Sequence, residues 1–274
     1  MKYSDENLHL LICEAQERNE VLIDFPREFQ SSEEMQVFYS RYGYITLKRH
    51  IPSEYIEYVV NDLKTIFEPY ASDKQNPVDS AIINLDKKDK KHLYELHMAA
   101  LKLTSLKRLT FFLGETVKSI SGGNAPVLEI VTSFLLNMPK DDRLVYDFHQ
   151  ESSYMKGFGD IFNVHYPLFR TSTIENGTMS ILPGTHKLGN LEYEKSRKSN
   201  DSYTDLLPKN ISEIIGSYPE LHCYLEVGDV IFFHKYLTHK SNYNSSTLAR
   251  LIGIQRLTQS ITGGDWVRRR PEEL

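Results

Sequence analysis

His149 and Glu151 stand two residues apart in DFHQESSY, residues 147–154. In an extended stretch, side chains i and i+2 leave the same face, with Cα atoms roughly 6.5–7 Å apart. That spacing suits two ligands converging on one metal ion. It suits equally a surface histidine beside a surface acid, and an isolated H-x-E is more often the latter. A third ligand has to decide. His239 follows in FFHKYLTHKSNY, beyond a strand-like run that starts at the turn Gly228-Asp229. Two imidazoles and one carboxylate on neighbouring strands fill one face of an octahedron and leave the remaining positions open. This is the ligand set of mononuclear iron(II) sites that activate oxygen.

Arg250 adds a second chemical element. In TLARLIGIQRL, Leu248, Arg250, Ile252 and Ile254 share one strand face, and Ala249, Leu251, Gly253 and Gln255 share the other. Arg250 therefore points where large apolar residues point, toward the interior. A guanidinium does not lose its proton, and it is rarely buried without a partner. Its fork grips a carboxylate through two bonds. The carboxylate could be a protein acid, as in a core ion pair, or the far end of a dicarboxylate co-substrate. Ser241, two residues past His239, could add a hydroxyl hydrogen bond.

These residues need a scaffold. The chain has 274 residues, 40% hydrophobic and 25% charged, which is ordinary for a globular protein with a sizeable core. Its formal charge of −5 gives no basic excess of the kind a nucleic-acid partner selects. Cys13 and Cys223 are the only cysteines. They exclude a disulfide framework and a cysteine-rich zinc site, and they fit a reducing cytoplasm. No apolar run approaches the ~20 residues that cross a bilayer. The N-terminus lacks the basic-then-apolar pattern of a secretory signal.

The first ~125 residues read as mostly helical. Ser31 with Glu34 has capping-box spacing. Ile56, Val59, Val60, Leu63 and Phe67 form one helical stripe, residues 71–91 read as a polar loop, and 93–120 as one or two helices. From residue 126 to 258 the pattern changes to short β-prone runs separated by Gly and Pro: VLEIVTSFLLNM, IFNVHYPLF, GTMSILPG, CYLEVGDVIFFH and TLARLIGIQRL. This is the signature of a sandwich or jelly roll. Residues 187–220 are polar without a clear period, which suggests a loop or lid. No linker divides the chain, so 1–274 is expected to form one domain, mainly β with flanking α.

HQE (149–151), ENG (175–177), LPGTH (182–186), GD (228–229) and H-K-S-x8-R (239–250) occur in that order. Together with GYITLKRHIPSEYIEYVVNDLKTIFEPY near the start, they resemble the phytanoyl-CoA dioxygenase family of Fe(II)/2-oxoglutarate-dependent oxygenases, over about residues 36–258. The resemblance implies a double-stranded β-helix, a cupin-like jelly roll with N-terminal helices packed outside. It implies that His149, Glu151 and His239 hold Fe(II), and that 2-oxoglutarate chelates the iron through its keto-acid end. Arg250, helped by Ser241, then binds the far carboxylate, and Gln150 and Tyr166 lie beside the co-substrate. The implied reaction consumes O2, releases succinate and CO2, and hydroxylates an unactivated C–H bond of a small metabolite or carrier-linked group.

Two positions depart from the family pattern. Glu151 replaces the usual aspartate, and Tyr166 stands where relatives often carry tryptophan. A carboxylate at 151 speaks against halogenation, since related halogenases lack it. Epimerisation, desaturation and ring closure use the same iron and stay open. So does a non-catalytic, cupin-like metabolite- or sugar-binding protein. His186 reads first as a loop residue, His165 and His234 as core or surface histidines, and Tyr94 and His97 as helix residues that could line a substrate pocket.

Overall fold

The computed structural model describes residues 21–155, 158–197 and 204–259. An edge strand, β2 (Tyr44–Leu47), is buried at every position. That unalternating pattern belongs to a strand covered on both faces. β2 pairs antiparallel with β9 (Val230–His234), β9 with β4 (Phe162–Pro167), β4 with β11 (Arg250–Thr258), and β11 with β3 (Leu128–Asn137). The result is a five-stranded sheet in the order β2-β9-β4-β11-β3. A second, four-stranded sheet has the order β1-β8-β5-β10, from β1 (Leu22–Asp24), β8 (Leu221–Cys223), β5 (Met179–Ile181) and β10 (His239–Ser241). Only its β1·β8 pair is parallel. The jumps in strand order are those of a jelly roll, here with open sheet edges.

Helices cover the outer face of the larger sheet. α1 (Ser32–Tyr42) starts as its sequence predicts: the Ser31 hydroxyl accepts from the Glu34 N–H at 3.2 Å, and the Glu34 carboxylate accepts from the Gln30 N–H at 2.7 Å. It ends at Gly43, whose φ of 78° is the left-handed conformation of a helix C-cap. α2 (Ser53–Phe67) buries Ile56, Val59, Leu63 and Phe67, each worth roughly 1.5–3 kcal/mol of apolar burial.

The polar segment 71–91, expected as a loop, contains α3 (Pro77–Lys88). Its periodicity outweighs its polarity: Val78, Ala81, Ile82 and Leu85 are buried at helical spacing, and Pro77 sits where a helix tolerates it. The region 93–120 divides into α4 (Lys90–Ala100) and α5 (Thr104–Ser121). Residues 187–220 carry a two-stranded hairpin, β6 (Tyr193–Ser196) with β7 (Asp205–Pro208), followed by the short α6 (Ile211–Ser217). Phe148, Leu182 and Ile214 form a small separate apolar cluster beneath it.

Tight packing fixes which way β4 faces. Tyr166 is paired with Gly253 of β11, and a Cβ on that glycine would lie 2.2 Å from the tyrosine ring. The ring occupies the space a side chain would need, on the helix-facing side. Alternation then turns His165 to the opposite side, between the two sheets.

Candidate metal centre

His149 and His239 face each other across a reciprocal backbone bridge. The His149 N–H donates to the His239 carbonyl at 2.9 Å, and the His239 N–H returns the bond at 3.0 Å. His149 is an isolated bridge residue, not part of a longer strand. Gln150 is extended (φ −111°, ψ 140°), and Glu151 opens a short 3-10 turn, Glu151–Ser153. The H-x-E spacing thus works through one extended residue at the entrance to a turn.

One ligand atom from each of His149, Glu151 and His239 lies within 4.8 Å of the others. Among the described residues this is the only such His/Cys/Asp/Glu group. The three side chains are 7%, 5% and 4% exposed. His149 Nδ1 is 2.6 Å from the Asp147 carbonyl, and His239 Nδ1 is 2.9 Å from the Leu237 carbonyl. A carbonyl only accepts, so Nδ1 carries the proton in both rings and Nε2 is left to bind a metal. Burial, and next the neighbouring His149, push His239 well below the usual imidazole range. It therefore stays in the neutral form that a metal requires.

Arg250 is 1% exposed. Its Nε donates to the Asn176 carbonyl at 3.0 Å and an Nη to the Gly177 carbonyl. The ENG turn, which reads in the sequence only as a turn, is thus a carbonyl cradle for this guanidinium. The other terminal nitrogen, Nη1, is buried without a partner. Among the described residues no carboxylate pairs with Arg250. Burial alone pulls its pKa down to about 9. A buried cation without a counter-ion carries a penalty of several kcal/mol, so the site favours an anion.

Arg250, Ser241 and the three candidate ligands line one cavity of about 570 Å³. Both sheets contribute to its wall: β3, β4 and β11 from one, β5 and β10 from the other. Phe134, Leu135, Leu144 and Met155 give it an apolar side, and α4 adds Leu93, Tyr94 and His97. His165 also faces it, kept neutral by burial and by the nearby arginines.

Two side chains expected beside the co-substrate lie outside this cavity. Tyr166 is fully buried on the other side of β4, packed over Gly253. Gln150 is also fully buried, and backbone groups occupy its amide: Nε2 donates to Gly189 and Tyr236 carbonyls at 3.0 and 2.7 Å, and Oε1 accepts from the Leu191 N–H at 3.0 Å. Neither side chain lines the cavity. His186 docks on α1: its Nε2 lies 3.1 Å from the Ser40 carbonyl, and its ring rests where Gly43 lacks a Cβ.

Sequence reasoning missed Arg256. It lines the cavity, and its Nη2 is 2.6 Å from Glu151 Oε1. The signal was present, because Arg256 is the next position on the Arg250, Ile252, Ile254 face of β11.

The model of the family described as Phytanoyl-CoA dioxygenase (PhyH) matches residues 39–252. The chain belongs to the phytanoyl-CoA dioxygenase family. It is accordingly a non-haem oxygenase that uses Fe(II), 2-oxoglutarate and O2. Curated relatives include a "Probable phytanoyl-CoA dioxygenase" of Caenorhabditis elegans, 24% identical over 81% of this chain and 74% of its own length. The human "Phytanoyl-CoA dioxygenase, peroxisomal" is 22% identical over 78% of this chain and 64% of its own length.

Among solved structures, the epimerase SnoN in complex with Fe3+, alpha ketoglutarate and nogalamycin RO superposes with a TM-score of 0.58. It is 15% identical, covering 83% of each chain. EctD from S. alaskensis with bound Fe gives 0.54 at 15% identity over 87% of this chain and 81% of its own. The carbocyclase SnoK gives 0.51 at 17% identity over 84% and 87%. At these identities the likeness establishes the jelly-roll fold. Among the described residues, no helix is long and apolar enough to cross a membrane.

Proposed function

We propose that His149, Glu151 and His239 hold the family's Fe(II), that Arg250 with Ser241 binds the far carboxylate of 2-oxoglutarate, and that the enzyme hydroxylates an unactivated C–H bond of a small molecule. The carrying observation is the pairing, in one cavity, of a buried ligand triad with a buried guanidinium whose Nη1 has no partner. The donor set fits the metal: two imidazoles, each with Nδ1 on a backbone carbonyl, and one carboxyl group. Bound iron(II), with 2-oxoglutarate and O2, supplies the oxidant for C–H cleavage as succinate and CO2 are released.

The chain's own residues do the rest. Asp147 and Leu237 carbonyls lock the two imidazoles in orientation. Asn176 and Gly177 carbonyls aim Arg250. The apolar wall of Phe134, Leu135, Leu144 and Met155 holds the substrate body and excludes water. The helices and the jelly roll act as one catalytic domain, because Asp86 of α3 and Leu93, Tyr94 and His97 of α4 complete a cavity whose other walls come from residues 126–258. The described parts of 187–220 are tied to the metal loop through Gln150, which bonds Gly189 and Leu191, and through the Tyr154 hydroxyl, which accepts from the Leu206 N–H at 3.0 Å; residues 198–203 of the expected lid lie outside the described residues. A buried free thiol at Cys223 supports a reducing compartment such as the cytoplasm.

Anaerobic titration with Fe(II) and then 2-oxoglutarate tests this reading. A visible charge-transfer band is expected in the ternary complex, and a substrate screen should find substrate-dependent succinate release. Absence of the band, with no binding of either component, would instead favour a non-catalytic, cupin-like binding protein. Product mass separates hydroxylation, which adds an oxygen, from desaturation or ring closure, which remove hydrogen, and from epimerisation, which leaves the mass unchanged.

A further inference from the structure

Arg256 faces the same cavity and has no part in that proposal. We propose that Arg256 is a positioning residue: it holds one oxygen of Glu151 and leaves the other for the metal, so that the glutamate at 151 and the arginine at 256 work as a matched pair. The inference rests on the metal-centre reading above.

The structure contains an internal contrast. Asp79 and Arg170 form a two-bond fork, Nη1 to Oδ1 at 2.6 Å and Nη2 to Oδ2 at 2.7 Å. That is the geometry arginine adopts with a carboxylate free to offer both oxygens. Glu151 and Arg256 are comparably sheltered, with side chains 6% and 19% exposed, and they approach most closely at Nη2 and Oε1, 2.6 Å apart. Arg256 Nε is left buried and unpartnered. Nε donates to nothing, so a two-bond fork through Nε and Nη2 is not formed here.

Alternation along β11 places Arg256 on the face of Arg250 and Ile254, which line the same wall. The ladder to β3 keeps one register as far as Arg256, and the extra residue beyond it, Ile130, lies on β3.

The chemistry explains why a glutamate needs this partner. Glutamate has one more methylene than aspartate, hence more rotamers and enough freedom to present both oxygens to a metal. That would fill a position needed by co-substrate. A fixed cation on one oxygen removes this option and restricts the side chain.

The test uses Co(II) as an anaerobic probe, followed by Fe(II) with 2-oxoglutarate, on the full chain and on R256Q, R256K, E151D and the double variant E151D/R256Q. R256Q should weaken Co(II) binding by about tenfold or more, the usual cost of losing a partner of a metal ligand, and should shift the Co(II) absorption bands. R256K should stay within about threefold of wild type, well inside that loss. The double variant should bind Co(II) no worse than E151D alone. Unchanged or tighter Co(II) binding by R256Q with an unchanged spectrum overturns the proposal, because Arg256 would then be only a competitor for the carboxylate. R256K falling as far as R256Q, or additive losses in the double variant, also overturn it. If R256Q does not fold by circular dichroism, R256K and the double-variant comparison decide, with E151D as reference. Failure of the wild-type protein to bind Co(II) or 2-oxoglutarate is a different result, and it defeats the metal-centre reading.

Discussion

At the residue scale, Arg250 and the histidines make separable predictions. Arg250→Ala removes a fully buried cation whose Nη1 has no partner. Losing one partner of a buried charge pair costs about 3–5 kcal/mol, so affinity for 2-oxoglutarate should fall by two orders of magnitude or more. Metal affinity should change little, because Arg250 touches no ligand. Isothermal titration of metal and then of 2-oxoglutarate separates the two effects, and normal turnover at low co-substrate would refute the assigned role. His149→Ala should abolish both metal binding and turnover, read by the loss of the charge-transfer band. The convergence of His149, Glu151 and His239 can be anticipated from sequence because polar ligand types are rare in β-prone runs, and three of them with an inward arginine are harder to place apart than together. The Arg256–Glu151 contact is not legible in the same way. Alternation puts Arg256 on the Arg250 face, but the contact also depends on the turn at Glu151, which has no signature in residue type. Gln150 shows the limit of carrying roles over by position: the middle residue of H-x-E turns away from the cavity because alternation sends it to the loops behind.

At the scale of elements, polarity misled where periodicity would not have. The segment 71–91 is rich in charge, yet α3 keeps four apolar positions on one face. The strands were readable because Gly and Pro punctuate them and their interiors are β-branched or aromatic. Register was not readable, and register puts Tyr166 against Gly253. Gly253→Ala should therefore destabilise the fold by roughly 1–3 kcal/mol through overpacking, a fall of about 2–12 °C in thermal midpoint for a chain of this size. A melting curve unchanged from wild type would show that the ring can move aside. Gln150→Leu strands the Gly189 and Tyr236 carbonyls and the Leu191 N–H. Each unpaired buried group costs about 1–3 kcal/mol, so hydrogen exchange should speed up at residues 189–191 before any effect at β2 or β9.

At the scale of the whole molecule, the helical layer and the sheets are joined by a few polar contacts across large sequence distances. The Asp79–Arg170 fork ties α3 to the loop after β4, and Arg170 also donates to the Ala249 carbonyl beside Arg250. Asp79→Ala should cost roughly 3 kcal/mol, since it leaves a sheltered arginine without its anion. It should also raise the 2-oxoglutarate KM modestly by loosening the start of β11, whereas a surface ion pair such as Lys209–Glu192 should show neither effect. The reciprocal bonds between His149 and His239 carry one more consequence. They join two stretches of backbone distant along the chain, and a metal bound to both rings would staple that seam shut. Such a ligand binds only the folded protein, so it adds about 2.7 kcal/mol of stability at a hundredfold excess over its Kd. Loading and folding are then one linked equilibrium, and metal starvation should show itself as shortened protein lifetime as well as lost turnover.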